Sequence, residues 1–469
     1  MRARACLSPS KAHSRTKVAC SPAWKSSSWL LPLVNASLVA LLDRIDCYKG
    51  NRHTGEGAEN ANDDKQTELT VAAEQDGRVL VDATDFVLRD AHGVIPTLRR
   101  ARQGDYRLEA TRSALHLPNT KAFPRNTEVE VTLTFTGDNP GQWVRDVTPT
   151  PEAVTVRQRH SFVALPPPGY EPRRSDPRGG FFGIDYFDYS TPVGEEITQR
   201  FISRHRLEKR DPTAAVSDPV EPIVYYVDAG APEPIRSALV DGARWWNQAF
   251  EAAGYRDAFR VEVMPDSIDP MDARFNVIQW VHRSTRGWSY GSSVSDPRTG
   301  EIIKGHVTLG SLRVRQDYMI AEGLLAPYAT GTETPPELSR MALARLRQLS
   351  AHEVGHTIGI AHQYYNSSAG WTSVMDYPHP YAQLRADGTI DLSKAYPQQI
   401  GEWDKVAVRW GYQDFPPNMP AVMRKALPRV AWPQRSTSPT GGCGWSPRPS
   451  SSSFSGPWRR SAPSSPRCK

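Results

Sequence analysis

Apolar and polar residues alternate strictly in the segment TEVEVTLTFTG, Thr127–Gly137. The apolar positions are Val129, Val131, Leu133 and Phe135. A period of two puts these side chains on one face, which predicts a half-buried antiparallel strand. The segments GRVLVDATDFVLRD and AVTVRQRHSFVAL predict further strands, so we expect residues 66–205 to form a β-rich domain.

The pattern changes after a charged, proline-rich stretch at residues 206–221, which we interpret as a linker. PIVYYVD predicts a buried strand, and apolar residues then recur at helical spacing. The helical positions are Ile235, Leu239, Trp246 and Phe250. Further strands are predicted at Phe259–Met264, Phe275–His282 and Ile302–Ser311. Residues 222–425 therefore predict a second domain with mixed helices and strands.

Two more helices follow from local signals. Thr334 as N-cap, Pro335 at the first helical position and Glu337 three residues on predict a capping box. Near the end of the domain, Trp403 to Trp410 show helical spacing, and Gly411 is expected to stop that helix. The segment Ser311–Gly331 fits a lid, a pocket wall or a connector equally well.

Charge and cysteine content separate the two ends from the rest. Residues 1–65 carry 10 Lys/Arg and 6 Asp/Glu, and residues 426–469 carry 7 and none, so the stretch between them is acidic. The overall excess of positive charge gives little support to a nucleic-acid partner, which we do not expect. All 5 cysteines lie in the ends, so a metal site in the middle must use histidine or carboxylate ligands.

Both ends have unusual compositions. Residues 426–469 hold 11 Ser and 8 Pro, which predicts a disordered tail, and residues 1–65 form a leader or another disordered segment. The apolar stretch Trp29–Leu42 is too short to span a bilayer but fits the core of a signal peptide. Export out of the cytoplasm and a non-native, out-of-frame origin of the ends are the two alternatives.

Three of the 12 histidines lie within the segment AHEVGHTIGIAH. His352 and His356 are four residues apart, so on a helix both rings lie on one face within reach of one metal ion. Gly359 permits a sharp reversal after the helix, which brings His362 round as a third ligand. Three protein ligands leave a fourth position for water, the arrangement of catalytic zinc. Glu353 lies beside the first ligand and is the predicted general base.

The motif His352-Glu353-x-x-His356-x-x-Gly359-x-x-His362, followed by SVMDY, resembles the metzincin clan of zinc peptidases. Within that clan the chain resembles the large bacterial zinc-dependent metalloproteases of the Met-zincin family. The resemblance implies an α+β fold: a metzincin-like catalytic domain, with a twisted mixed sheet, an active-site helix and a Met-turn, after a β-rich domain. It also implies a further C-terminal region, so residues 222–425 are expected to be truncated relative to the family.

The same resemblance implies roles for other residues. Met375 would lie in the Met-turn below the zinc, although plain core packing is the alternative for a methionine. Tyr377 would hydrogen-bond the oxyanion, or would be a buried packing residue. An extended peptide substrate would add to Ile303–Leu309 as an edge strand, and His306 on that strand is not expected to be a ligand.

We therefore predict a Zn²⁺-dependent endopeptidase that acts outside the cytoplasm and has no membrane span. One alternative is a catalytically inactive, truncated zinc-binding homologue that serves as a binding or scaffold protein. Another is a hydrolase of non-peptide amides.

Overall fold

The computed structural model describes residues 81–283, 288–326, 335–364 and 367–414, together with backbone strands within residues 17–80. All of these residues lie in one compact unit, Met1–Val430. The predicted tail at residues 426–469 lies outside the described residues. Eight strands occupy the N-terminal part: β1 (Lys17–Cys20), β2 (Trp24–Lys25), β3 (Trp29–Leu30), β4 (Leu33–Val34), β5 (Ser37–Leu42), β6 (Asp46–Cys47), β7 (Thr67–Gln75) and β8 (Arg78–Asp82).

A five-stranded antiparallel sheet follows, built around one long strand. Its strands are β9 (Asp105–Leu108), β10 (Ala114–Leu115), β11 (Lys121–Ala122), β12 (Asn126–Asp138) and β13 (Ala153–Val163). The four alternating apolar side chains of β12 are fully buried, as their period of two predicts. The opposite face is also largely buried, which the sequence did not predict. Glu128 is only 4% exposed, and its buried carboxylate is satisfied by the hydrogen bonds that it accepts from Asn126 and Ser161.

This region also contains short helices that were not predicted: α1 (Thr84–Val87), α2 (Val94–Arg100) and α3 (Gln142–Val147). The first interrupts a segment that was expected to be strand throughout, because Phe86 and Val87 turn inward onto the sheet. A hairpin of β14 (Gly183–Phe187) and β15 (Thr198–Ile202) closes the region. The stretch at residues 206–221 is irregular, but Leu207 is buried in the same hydrophobic core as the strands and helices that follow it.

The second sheet has five strands in the order β17-β16-β18-β20-β19. They are β16 (Ile223–Val227), β17 (Phe259–Val263), β18 (Asn276–Val281), β19 (Tyr290–Ser295) and β20 (Ile302–Gly310). β16 pairs in parallel with β17 and β18, and β18 pairs in parallel with β20, whereas β19 runs antiparallel to β20. The prediction that Ile303–Leu309 is an edge strand is therefore wrong. β19 covers it, and the serine-rich sequence YGSSVS gave little sign of a strand.

Five helices complete this part of the chain: α4 (Ile235–Arg244), α5 (Trp246–Ala252), α6 (Leu312–Leu325), α7 (Pro336–Thr357) and α8 (Glu402–Tyr412). Buried residues of α4, α5, α7 and α8 join those of the strands in the main core. The predicted helix from Ile235 to Phe250 is divided at Trp245. The segment Ser311–Gly331 contains helix α6 in its described part. A small hairpin, β21 (Gln383–Leu384) and β22 (Ile390–Asp391), precedes α8. In the described ranges, no helix combines the length and hydropathy that a membrane crossing requires.

Two predicted helix ends are wrong. Pro335 is the N-cap of α7 and makes no side-chain capping bond, and Thr334 lies outside the described residues. Glu337 pairs instead with Arg340 one turn further along. Helix α8 continues through Gly411 to Tyr412, so this glycine does not end it. The ring of Phe181 occupies the space that a side chain at position 411 would need, which explains the glycine.

Candidate metal centre

The three histidines of the motif come together at the end of α7. His352 and His356 lie on successive turns of the helix, with ring centroids 4.8 Å apart, and both are buried. His362 joins them from the loop that follows, and its Nε2 lies 3.1 Å from that of His356. One possible ligand atom from each residue lies within 4.8 Å of those of the other two. This separation allows a single metal ion to contact all three.

Gly359 makes the reversal after α7 possible. Its φ of +100° lies in the region that favours glycine, and a Cβ here would approach the carbonyl oxygen of Ser203 to 1.9 Å. The amide of Ile360 donates back to the carbonyl of Gly355 at 2.9 Å, which ends the helix tightly. The chain can therefore bring His362 back within only a few residues.

The orientation of the rings leaves the Nε2 atoms free for a metal. Nδ1 of His352 lies 2.8 Å from the carbonyl oxygen of Val374, and Nδ1 of His356 lies 2.8 Å from that of Ile360. A carbonyl only accepts, so each Nδ1 carries the proton and each Nε2 keeps its lone pair. Among the described residues, the buried Nε2 of His352 has no hydrogen-bond partner. An orphaned nitrogen of this kind fits a site that is completed by a metal.

Burial also keeps the imidazoles neutral, as metal ligation requires. Desolvation holds the pKa of His352 well below its usual value and lowers that of His356 to about 4. The pKa of His362 is lowered by the same cause. The donor set of three neutral imidazoles is typical of zinc.

Glu353 is buried beside the cluster, with 5% of its surface exposed. Desolvation raises the pKa of its carboxyl to about 7, while the charge of Arg345 and a hydrogen bond with the backbone of Gly291 lower it. Gly291 on β19 must be glycine for steric reasons, since a Cβ there would lie 2.0 Å from the carbonyl oxygen of Glu353. The edge strand thus approaches the helix backbone at the predicted general base.

Met375 is fully buried below the ligand helix. A Cβ on Gly355 would lie 2.2 Å from its Sδ, so the thioether fills the space that this glycine leaves on α7. Met375 lies in a turn between the ligand loop and α8. Met375 therefore packs in the core against α7, and its predicted role below the three imidazoles stays a prediction.

The sequence interpretation missed Asp404, which holds this turn. Its carboxylate accepts hydrogen bonds from the hydroxyl of Ser373 at 2.6 Å and from the amides of Val374 and Gly401 at 2.8 and 2.9 Å. Asp404 is fully buried, and desolvation raises the pKa of its carboxyl to about 7. It is the third residue of α8, the N3 position, where an acidic side chain can accept a hydrogen bond from the amide of the N-cap residue. That position was the one available signal.

A second polar contact reaches the turn from α7. The buried Gln348 donates to the carbonyl oxygen of Val374 at 2.9 Å, and this oxygen also accepts from His352. Arg345 in turn donates to the side chain of Gln348. The backbone at Val374 is therefore fixed from both sides, and it fixes the orientation of the first ligand.

Tyr377 lies over the open side of the cluster. Its hydroxyl is 2.8 Å from Nε2 of His362, and 54% of the residue is exposed. The alternative that Tyr377 is a buried packing residue is therefore wrong. Tyr364, which the sequence interpretation missed, packs 5.3 Å from the ring of His362 and 5.8 Å from that of Tyr377.

His306 lies away from the cluster on β20. Its Nε2 bonds to the side-chain oxygen of Gln279 at 2.9 Å, and burial lowers its pKa to about 4. The residue is half-buried, and this hydrogen bond satisfies the ring nitrogen. It is not one of the clustered ligands.

Comparison with known families supports the metal site. A family model described as Met-zincin matches residues 334–439, the part that holds the three histidines and Met375. A model described as a domain of unknown function (DUF5117) matches residues 62–210. No curated protein matches this chain. The match and the histidine cluster together indicate a metzincin-like zincin and are consistent with a zinc-binding metallopeptidase.

Proposed function

We propose that this protein is a zinc endopeptidase of the metzincin type. The observation that carries the proposal is the cluster of three neutral imidazoles beside a buried glutamate, on a helix that the Met-zincin model covers. His352, His356 and His362 would hold the ion through Nε2. When bound, zinc lowers the pKa of a water molecule and polarises the carbonyl of the substrate.

The residues of the chain supply the proton transfers. Glu353 accepts a proton from the attacking water and delivers it to the leaving amine. Burial raises the pKa of this carboxyl above its ordinary value, which makes the carboxylate a stronger proton acceptor. The hydroxyl of Tyr377 lies at the open side of the cluster, where it donates a hydrogen bond to the oxyanion.

The peptide substrate would lie along β19 rather than along Ile303–Leu309. Within the described ranges, β20 is the one strand that pairs with β19, so the other edge of β19 is open to an added strand except at Gly291, whose backbone bonds to Glu353. An extended peptide binds such an edge as an added strand. The contact between Gly291 and Glu353 puts this edge next to the proposed base.

The substitution Glu353→Gln tests the proposal, because it removes the base and leaves the three ligands in place. Zinc content should remain one ion per chain, while the rate of cleavage of a peptide library should fall by a factor of about 10²–10⁴. Glu337→Gln, an exposed glutamate on the same helix, is the matched control and should keep full activity.

Other outcomes point to the alternatives. Wild-type protein that binds zinc but cleaves no peptide would favour a binding or scaffold protein. Cleavage of small amides without cleavage of peptides would favour the non-peptide hydrolase. Full activity of Glu353→Gln would exclude the mechanism.

A further inference from the structure

Residues 180–182, which we call the strap, contact the ligand loop directly although they come from the N-terminal region. The amide of Phe182 donates to the carbonyl oxygen of Gly359 at 2.7 Å, and the amide of Ala361 donates to that of Gly180 at 2.8 Å. Phe181 and Ile360 form an antiparallel bridge between the two segments. The strap therefore adds a short strand to the loop that joins His356 to His362.

The two phenylalanines of the strap face opposite ways, as successive residues of an extended segment do. Phe181 points inward, where its ring packs 5.5 Å from that of Trp410 and 6.2 Å from that of Tyr412. Gly180 is small because a Cβ there would lie 2.6 Å from the indole of Trp403. These contacts anchor the strap on α8.

Phe182 points outward, next to the metal centre. Its ring centroid lies 5.6 Å from that of His356, and 48% of the residue is exposed. A single exposed apolar residue is ordinary on a protein surface. Here the backbone bonds to Gly359 fix the ring beside a ligand, so its distance from the reacting centre is set by the fold. Tyr364, 51% exposed, flanks His362 in the same way.

We propose that Phe182 is a specificity-determining residue: its exposed ring contacts the substrate side chain next to the scissile bond and selects an apolar one. This inference rests on the proposed peptidase function and names its substrate class. Burial of the Phe182 ring against an aliphatic or aromatic side chain of the substrate lowers the free energy of binding. A charged substrate side chain at the same place would lose its hydration without gaining a polar partner.

The inference gives a role to part of the region matched as a domain of unknown function. Residues 62–210 include the strap, so that region supplies one wall of the substrate cleft. The same region contains Ser203, whose carbonyl oxygen leaves no room for a side chain at position 359.

The test compares peptides that differ only in the residues flanking the cleaved bond, leucine or phenylalanine against serine or aspartate. Wild-type protein should cleave the apolar peptides with the higher kcat/KM. In Phe182→Ala this preference should shrink by roughly 10- to 100-fold, the usual effect of one apolar contact. Zinc content and the rate on the serine peptide should stay near the wild-type values, which separates a contact with substrate from a structural role.

Phe187→Ala is the matched control, since Phe187 is an exposed phenylalanine of the same region whose ring contacts Tyr189. It should keep the preference. If Phe182→Ala does not fold, Phe182→Leu retains bulk and should shift the preference from aromatic towards aliphatic residues.

An active Phe182→Ala with the wild-type preference, or with activity lost in proportion to lost zinc, would overturn the inference alone. Wild-type protein that cleaves no peptide would instead overturn the proposed function on which the inference rests.

Discussion

The carboxylate of Asp404 on α8 lies 2.8 Å from the backbone amide of Val374, the residue before Met375. This bond connects the last helix of the domain to the turn below the metal centre. The carbonyl oxygen of Val374 accepts a hydrogen bond from Nδ1 of His352, the first ligand. The backbone at Val374 therefore couples the position of α8 to the orientation of the His352 imidazole.

Asp404→Ala should therefore weaken both the fold and the metal site. The hydroxyl of Ser373 and two amides would lose their buried acceptor, which should lower the free energy of unfolding by roughly 2–4 kcal/mol. The zinc dissociation constant should rise, because His352 would be less well oriented. Urea unfolding and competition with a zinc chelator measure the two effects.

Two variants control this prediction. Asp404→Asn keeps the shape and one acceptor oxygen, so its loss should be smaller. Glu402→Gln changes an exposed residue of the same helix that pairs with Lys405, and it should have little effect. Unchanged zinc affinity in Asp404→Ala would argue against the link between α8 and the ligands.

A comparison of Gly359→Ala with Gly388→Ala should separate the destabilisation caused by backbone strain from that caused by close packing. Two costs add here, a φ of +100° and a Cβ that would lie 1.9 Å from the carbonyl oxygen of Ser203. Gly388 has a φ of +82° with nothing within 4 Å of its Cβ, so Gly388→Ala carries the strain alone. We expect about 1 kcal/mol of destabilisation for Gly388→Ala and clearly more for Gly359→Ala. Only Gly359→Ala should also lose zinc affinity, measured by chelator competition. Equal losses in both variants would show that the contact with Ser203 does not matter.

The residues that were predictable share a local signal. The four-residue spacing of His352 and His356 and the alternation along β12 are both properties of one element, so they appear in the sequence of that element alone. β19 was missed because its sequence, YGSSVS, contains three serines and one branched apolar residue, Val294.

The contacts that were not predictable join distant parts of the chain. Asp404 meets Val374 from a different element, and Phe182 meets Gly359 from a different region, so no spacing in the sequence shows either pair. The exposure of Tyr377 likewise depends on what packs around it. Single-sequence periodicity reports which face of an element is buried, but not which other element covers it.

Tyr377→Phe tests the role of the phenol. The variant keeps the ring, which packs 4.7 Å from that of His362, and removes only the hydroxyl. If the hydroxyl stabilises the oxyanion, kcat should fall by about 10²-fold while KM and zinc content change little. Steady-state kinetics on a single fluorogenic peptide measures this split. Tyr381→Phe, an exposed tyrosine that packs on Trp371, is the control and should behave as wild type. An unchanged kcat in Tyr377→Phe would remove the residue from the mechanism.

His205 should make the stability of the metal-free protein depend on pH. It is buried, its Nε2 lies 3.2 Å from the hydroxyl of Tyr225, and desolvation lowers its pKa to about 4. In the unfolded chain the pKa of histidine is about 6.5, so between these values the unfolded state binds more protons. The contribution of His205 is therefore complete above pH 6.5 and is lost as the pH falls towards 4.

The difference between the two pKa values of His205 corresponds to a loss of about 3 kcal/mol in the free energy of unfolding. Urea unfolding from pH 7 to 4, with zinc removed by a chelator, should show a shallower pH dependence for His205→Gln than for wild type. The exposed His92→Gln should retain the wild-type slope. Parallel curves for wild type and His205→Gln would mean that folding leaves the proton binding of this imidazole unchanged, which would contradict the prediction.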